Sequence, residues 1–165
     1  MAYMLKRQDG YLAQFYLSNS DQDPTRSERR RWLMKAAATG DPVAQFNMAL
    51  LIIDNPVDDS ELTAAIEYLN KSASVGFVPS MNLLGTILWQ NPALLSRDET
   101  NVRQLAIELL EAAAEKGDVN ALFNLGSINL SQNMIAKALP YFRQAATLGS
   151  EQAKAVLDQL GDESD

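Results

Sequence analysis

An all-α fold, a solenoid of stacked helix-turn-helix hairpins, is what this sequence predicts, and three observations carry the prediction. The first is repetition. Residues 32–50, 68–86, 109–127 and 141–159 align without a gap on Gly40, Gly76, Gly117 and Gly149. Self-similarity at a period of this size marks an array of helical units, each burying its apolar face only against its neighbours. The second is spacing. A large residue stands eight before each glycine (Trp32, Tyr68, Leu109, Tyr141) and an apolar one eight after it (Met48, Leu84, Leu125, Leu157). Small residues stand four before (Ala36, Ser72, Ala113, Ala145), three before (Ala37, Ala73, Ala114, Ala146) and four after (Ala44, Ser80, Ala121, Ala153). These intervals follow a helical period and not strand alternation, and the small residues let two helix backbones cross closely. The third is composition: 47% of the 165 residues are hydrophobic, which excludes general disorder, yet no apolar run reaches the ~18 residues of a membrane span.

Taken in order, residues 1–24 read as an N-terminal capping helix and linker. Ala13-Gln14-Phe15 matches Ala44-Gln45-Phe46, and Leu17 matches Met48, so 10–18 is half a repeat that covers the first hairpin. The repeat array then fills 25–160, with helices near 25–39, 42–54, 60–75, 79–90, 99–116, 119–130, 134–148 and 151–160. Each repeat glycine ends a helix, because the C′ position favours a left-handed conformation. The following helix starts at once: Asp41-Pro42 supplies an N-cap with proline at the first helical position, and Asp118 and Ser150 are further N-caps. Thr25-x-x-Glu28 and Ser96-x-x-Glu99 have capping-box spacing. The glycines stand 36, 41 and 32 residues apart. The long step holds the loop Gln90–Asp98, and the short one predicts a tight turn around Leu130–Met134. Residues 161–165 read as a frayed tail.

Composition also limits the chemistry. The chain has no Cys and no His, so it offers no thiolate nucleophile, no imidazole base, no disulfide and no zinc site built on either. A cysteine-free chain fits a reducing compartment, here the cytoplasm, and the start MAYMLKRQDG lacks the apolar stretch of a secretory signal. The net charge is −7, of which residues 1–35 contribute +3 and the remainder −10. An acidic body repels nucleic acid and suits a basic partner. The run Arg29-Arg30-Arg31 reads either as an anionic contact patch or, more simply, as a solvated helix face.

The matching stretches Trp32…Lys35-Ala36-Ala37…Gly40…Ala44-Gln45-Phe46-Asn47 and Ala113-Ala114…Gly117…Asn124-Leu125-Gly126 resemble the Sel-one-like repeat (SLR) family, relatives of tetratricopeptide repeats. The resemblance covers roughly 25–160. Copy one departs from it at Arg29, where the family has an alanine kept as Ala65, Ala106 and Ala138; copy four reads Val156-Leu157-Asp158 in place of Asn-Leu-Gly. The resemblance implies a right-handed superhelical array with a concave groove, acting as an adaptor or scaffold. Its cysteine-stapled secreted subgroup does not fit a chain without cysteine. Similarity to tetratricopeptide arrays implies that the helix after each glycine lines the groove through positions six, seven and ten. These are Phe46, Asn47 and Leu50; Asn82, Leu83 and Thr86; Phe123, Asn124 and Ser127, with Phe15 extending the row. Aromatic and amide side by side suit an extended peptide or a partner helix; equally, the rings can pack between hairpins and the amides bond to nearby backbone. No basic residue stands in the row, which argues against capture of a C-terminal carboxylate.

The remaining signals are weaker. Trp89 beside the long loop is either an exposed anchor or tucked under Ala93-Leu94-Leu95. Asp54, Asp58, Asp59 and Glu61 lack the glycine and spacing of a calcium loop. No phosphate loop or nucleophile elbow occurs, and Glu108 and Glu111 have solvent-face spacing. No cofactor is implied. The reading is a non-enzymatic module that binds a peptide or another protein. A compact acidic repeat domain also suits a bacterial immunity or antitoxin protein that occludes a basic toxin or effector.

Overall fold

The structure, a computed structural model, describes residues 26–54, 59–95 and 97–161. The proposed capping helix 10–18 and linker, Thr25 and Ser96 lie outside the described residues. Among these residues all regular structure is helical: α1 (Arg26–Ala38), α2 (Pro42–Ile53), α3 (Asp59–Ser74), α4 (Val78–Gln90), α5 (Glu99–Glu115), α6 (Val119–Ser131), α7 (Ile135–Thr147) and α8 (Glu151–Gln159), with a 3-10 turn at Pro92–Leu94. Each helix bound lies within one residue of its expected position.

The hairpin turns follow from one piece of backbone chemistry. Gly40, Gly76, Gly117 and Gly149 all have φ between +85° and +97°. That region is nearly closed to residues with a Cβ, which is why glycine recurs there. At Gly117, the glycine N–H donates to Ala114 O at 2.9 Å and the Asp118 N–H to Ala113 O at 3.1 Å. Ser150 and Gly149 repeat this pair on Ala145 and Ala146. The last carbonyls of the outgoing helix are thereby satisfied by the turn itself. Asn133, at φ 60°, does the same for the short step between α6 and α7, its N–H donating to Leu130 O. Asparagine is the residue after glycine that tolerates this conformation. On the incoming side, Asp41 accepts from the Ala44 N–H and Asp118 from the Ala121 N–H, both at 2.8 Å, and Ser150 accepts from Ala153. The expected Ser96–Glu99 capping box is not what starts α5. Asp98 is the N-cap and accepts from the Asn101 N–H at 3.2 Å. Its carboxylate lies next to the first helical residue, where it reaches the orphan N–H groups directly.

The described residues fall into two compact units, one ending at Ser80 and one beginning at Met81, with the division inside α4. In the first, α1 packs on α2 and α2 on α3. Ala36, Ala37 and Ala44 form the close crossing, and Tyr68 packs against them. The next crossing is made by hydroxyls: Ser80 Oγ donates to Ser72 Oγ at 2.8 Å, and Ser72 Oγ donates to Pro42 O at 2.8 Å, both serines fully buried. In the second unit α6 packs on α5 and α7, and α8 on α7. Alanine makes the crossings here, with Ala113, Ala121, Ala145 and Ala153 all buried to 0% exposure. Leu122, Phe142 and Leu157 fill the core around them.

All four apolar residues eight after the glycine are buried, as the spacing predicts. The large residues eight before it are only half-buried, and the deeper position is the next one along: Leu33, Leu69, Leu110 and Phe142. Phe142 reaches its place because Gly126 has no side chain. A Cβ there would stand 2.8 Å from the Phe142 ring, and one at Gly85 would stand 2.8 Å from Ala106 O. These two glycines mark where one backbone must approach the next helix.

Candidate functional site

The predicted groove residues fall in both units. In the first unit they stand on α2. Phe46 is half-buried, its ring edge-on to Phe77 at 5.6 Å and 62°. Phe77 occupies the turn position held by Asp41, Asp118 and Ser150 in the other copies. It has no side-chain oxygen to cap α4, and its ring instead packs on Phe46. Leu50 is 40% exposed and Asn47 half-buried.

In the second unit the row is polar and connected. Asn124 Nδ2, on α6, donates to Asn82 Oδ1 at 2.9 Å and to Thr86 Oγ1 at 3.0 Å, both on α4. Thr86 Oγ1 donates to Asn82 O, and Asn82 Nδ2 donates to Asp118 Oδ1 at 3.2 Å, the carboxylate that also caps α6. The amides therefore bond side chain to side chain rather than to nearby backbone. Both Nδ2 protons of Asn124 are committed, so its Oδ1 is left as an acceptor. No buried side-chain nitrogen or oxygen lacks a partner among the described residues, so that oxygen is reached by solvent. Ser127 Oγ donates to Phe123 O within its own helix. Phe123 is half-buried and edge-on to Phe142 at 5.6 Å and 61°. Leu83 is half-buried on α4.

The remaining sequence candidates are dispersed. Arg30 is engaged with Glu61, Nη2 to Oε1 at 2.6 Å, while Arg31 is exposed with its guanidinium 5.5 Å from the Trp32 ring centre. The Arg29 and Asp59 side chains and Asp58 lie outside the described residues. Asp54 is exposed. Trp89 is half-buried, and its outer partner is the Arg103 guanidinium, 5.7 Å from the ring centre. Among the described residues no three acidic side chains are grouped closely enough to hold a metal ion, and no helix is long and apolar enough to cross a membrane.

A feature that spacing did not reveal is a cleft of about 560 Å³ in the second unit, bounded by α5, α6, their following turn and α7. Glu111, Asn129, Lys137 and Tyr141 line it over an apolar floor that includes Ile128 and Met134. The Tyr141 phenol is pushed above its ordinary value, first by burial and then by the negative charge of Glu111. Sequence distance hides this cleft. Glu111 reads as an ordinary solvent-face residue until the tight turn at Asn133 brings α7 across it.

No protein-family model matches the sequence, and no curated protein sequence does so. Solved structures do. A Sel1 repeat protein from Oxalobacter formigenes is similar over 92% of this chain, at TM-score 0.74 and 22% identity. A protective antigen present in uropathogenic Escherichia coli strains, which displays an SLR fold, is similar over 97% of it, at TM-score 0.70 and 26% identity. The chain spans 62% of the first protein's length and 35% of the second's. It therefore has the SLR fold, in which helices pack in sequence order as hairpins, a class of repeat that generally mediates protein interactions.

Proposed function

We propose that this chain is a non-enzymatic interaction module that binds a peptide or a partner protein along the exposed faces of the helices that follow the repeat glycines. The observation that carries the reading is the state of those faces. Phe46, Leu50 and Phe123 offer apolar surface that is only partly covered, and Asn124 offers an outward acceptor whose orientation is fixed by Asn82 and Thr86. A pre-oriented acceptor beside a half-buried ring suits backbone N–H and side-chain recognition together, at little ordering cost. The cytoplasmic setting belongs to the same proposal, and cell fractionation checks it.

The test is capture from native lysate with variants that alter the surface alone. Leu50→Arg and Ser127→Arg add bulk and charge at positions whose side chains form no hydrogen bond or ion pair with another side chain among the described residues. Asn82→Arg is a poorer choice, since it would break the bonds to Asn124 and Asp118. Arg31→Glu is the control, because Arg30→Glu would break the ion pair with Glu61. Loss of the partner in both arginine variants, with melting unchanged, is the expected result. Retention in both, with loss in Arg31→Glu, would move binding to the basic N-terminal patch. A second reading, occlusion of a basic toxin, draws support from the net charge of −7. Failure of the chain to protect cells that express such a toxin would remove it.

A further inference from the structure

The cleft bounded by α5, α6 and α7 has a chemical character of its own. Its apolar part is supplied by Ile128, Met134 and Pro140, and its polar part mixes donors with the acceptor oxygens of Glu111, Asn129 and Gln132. Glu111 contributes a carboxylate that forms no ion pair with any described residue. Asn129 commits one Nδ2 proton to Leu125 O at 2.8 Å, which leaves its Oδ1 to accept and its second N–H to donate. Gln132 adds a second amide with no partner among the described residues, and Tyr141 a phenol that stays neutral. The one cation in the lining is Lys137, exposed in the first turns of α7, and it does not meet Glu111.

We propose that this cleft receives an arginine side chain of a basic partner protein. The assignment rests on the reading of the chain as a protein-binding module and adds a second contact to it. A guanidinium is planar, weakly hydrated and carries five N–H donors, which match a carboxylate and two amide oxygens. Its stem needs apolar walls, and its flat face stacks on an aromatic ring. A lysine ammonium would use fewer of these acceptors and lose more hydration. The volume, about 560 Å³, is large enough for an arginine together with the backbone that carries it. The negative field that Glu111 exerts at the Tyr141 oxygen is the field a cation would meet there.

The probe is a capped pentapeptide of glycines with one central residue, made with arginine, citrulline or glutamate. Binding to the full chain is followed by the Met134 methyl and Tyr141 ring resonances. The arginine peptide is expected to move both signals, and citrulline, which keeps the shape but not the charge, to bind about tenfold more weakly. Glu111→Gln should weaken the arginine peptide by about tenfold, and Lys137→Gln should strengthen it about twofold, since a like charge is removed. Both residues are exposed, so unchanged melting checks that the fold is intact. Three results each overturn the proposal: an unmoved Met134 methyl, equal binding of citrulline, or binding of the glutamate peptide that Lys137→Gln abolishes. The last would make the cleft an anion site. The interaction-module reading fails separately, through partner retention in Leu50→Arg and Ser127→Arg, because neither residue touches the cleft.

Discussion

The unit up to Ser80 and the unit from Met81 are built on one backbone pattern and finished with different side-chain chemistry. Both turn at glycines with φ near +90°, and both cross helices at small residues four before and four after the glycine. In the first unit a crossing is made by Ser72 and Ser80, which bond to each other and to Pro42 O. In the second the same positions are Ala113 and Ala121, with nothing to bond. The helix faces differ in the same way. Phe46 and Phe77 pair as rings in one unit, where Asn82, Thr86, Asn124 and Asp118 form a hydrogen-bonded chain in the other. A left-handed turn position admits few residue types, so glycine recurs there, with Asn133 at the short step. A crossing demands only smallness, and an exposed face demands only that its polar groups be satisfied, so both are open to divergence.

The largest effect belongs to the residue that the second unit depends on most. Phe142→Ala removes a fully buried ring packed against Gly126 and Phe123, and should cost about 3–5 kcal/mol in chemical denaturation. A smaller loss would show that α6 and α8 collapse into the space. Next comes the hydroxyl crossing. Ser72→Ala leaves Ser80 Oγ buried without its acceptor and removes the side-chain donor to Pro42 O, a loss of about 1–3 kcal/mol. Adding Ser80→Ala converts the crossing to the alanine form of the second unit. The double variant should recover much of the loss, and a double-mutant cycle by calorimetry measures the coupling.

Asn124→Ala and Asn47→Ala compare one repeat position in the two units. The first breaks two side-chain bonds and should cost about 1 kcal/mol, whereas Asn47 has no partner among the described residues and its loss should leave Tm nearly unchanged. Equal effects would mean that the Asn124 bonds contribute nothing net. The smallest effect is electrostatic. The Tyr141 phenol lies above its ordinary value of 10.0 in the folded chain, so the folded state holds this proton more tightly than the unfolded state. Its contribution is complete below pH 10 and declines as pH rises through the folded value. Glu111→Gln should lower the Tyr141 midpoint, read as tyrosinate absorbance, because it removes the second cause of the shift.

Much of the fold was determined by sequence alone, and the reason is local. A left-handed C′ residue, a capping carboxylate and a small residue one turn away act within a single hairpin, so Gly40, Asp41 and Ala44 declare their roles by spacing. Repetition then multiplies the signal, and both bounds of all eight helices could be placed to within a residue. Three features had to wait for tertiary structure. Phe142, one place beyond the expected large residue, is buried because Gly126 on a different helix leaves room for it. Asn82 and Asn124 are 42 residues apart, and their bond exists only because α4 and α6 come side by side. The cleft at Glu111 and Tyr141 draws on three helices and a turn. Spacing along one helix cannot report such contacts, since they depend on which face of a neighbouring helix arrives there and how closely its backbone can approach.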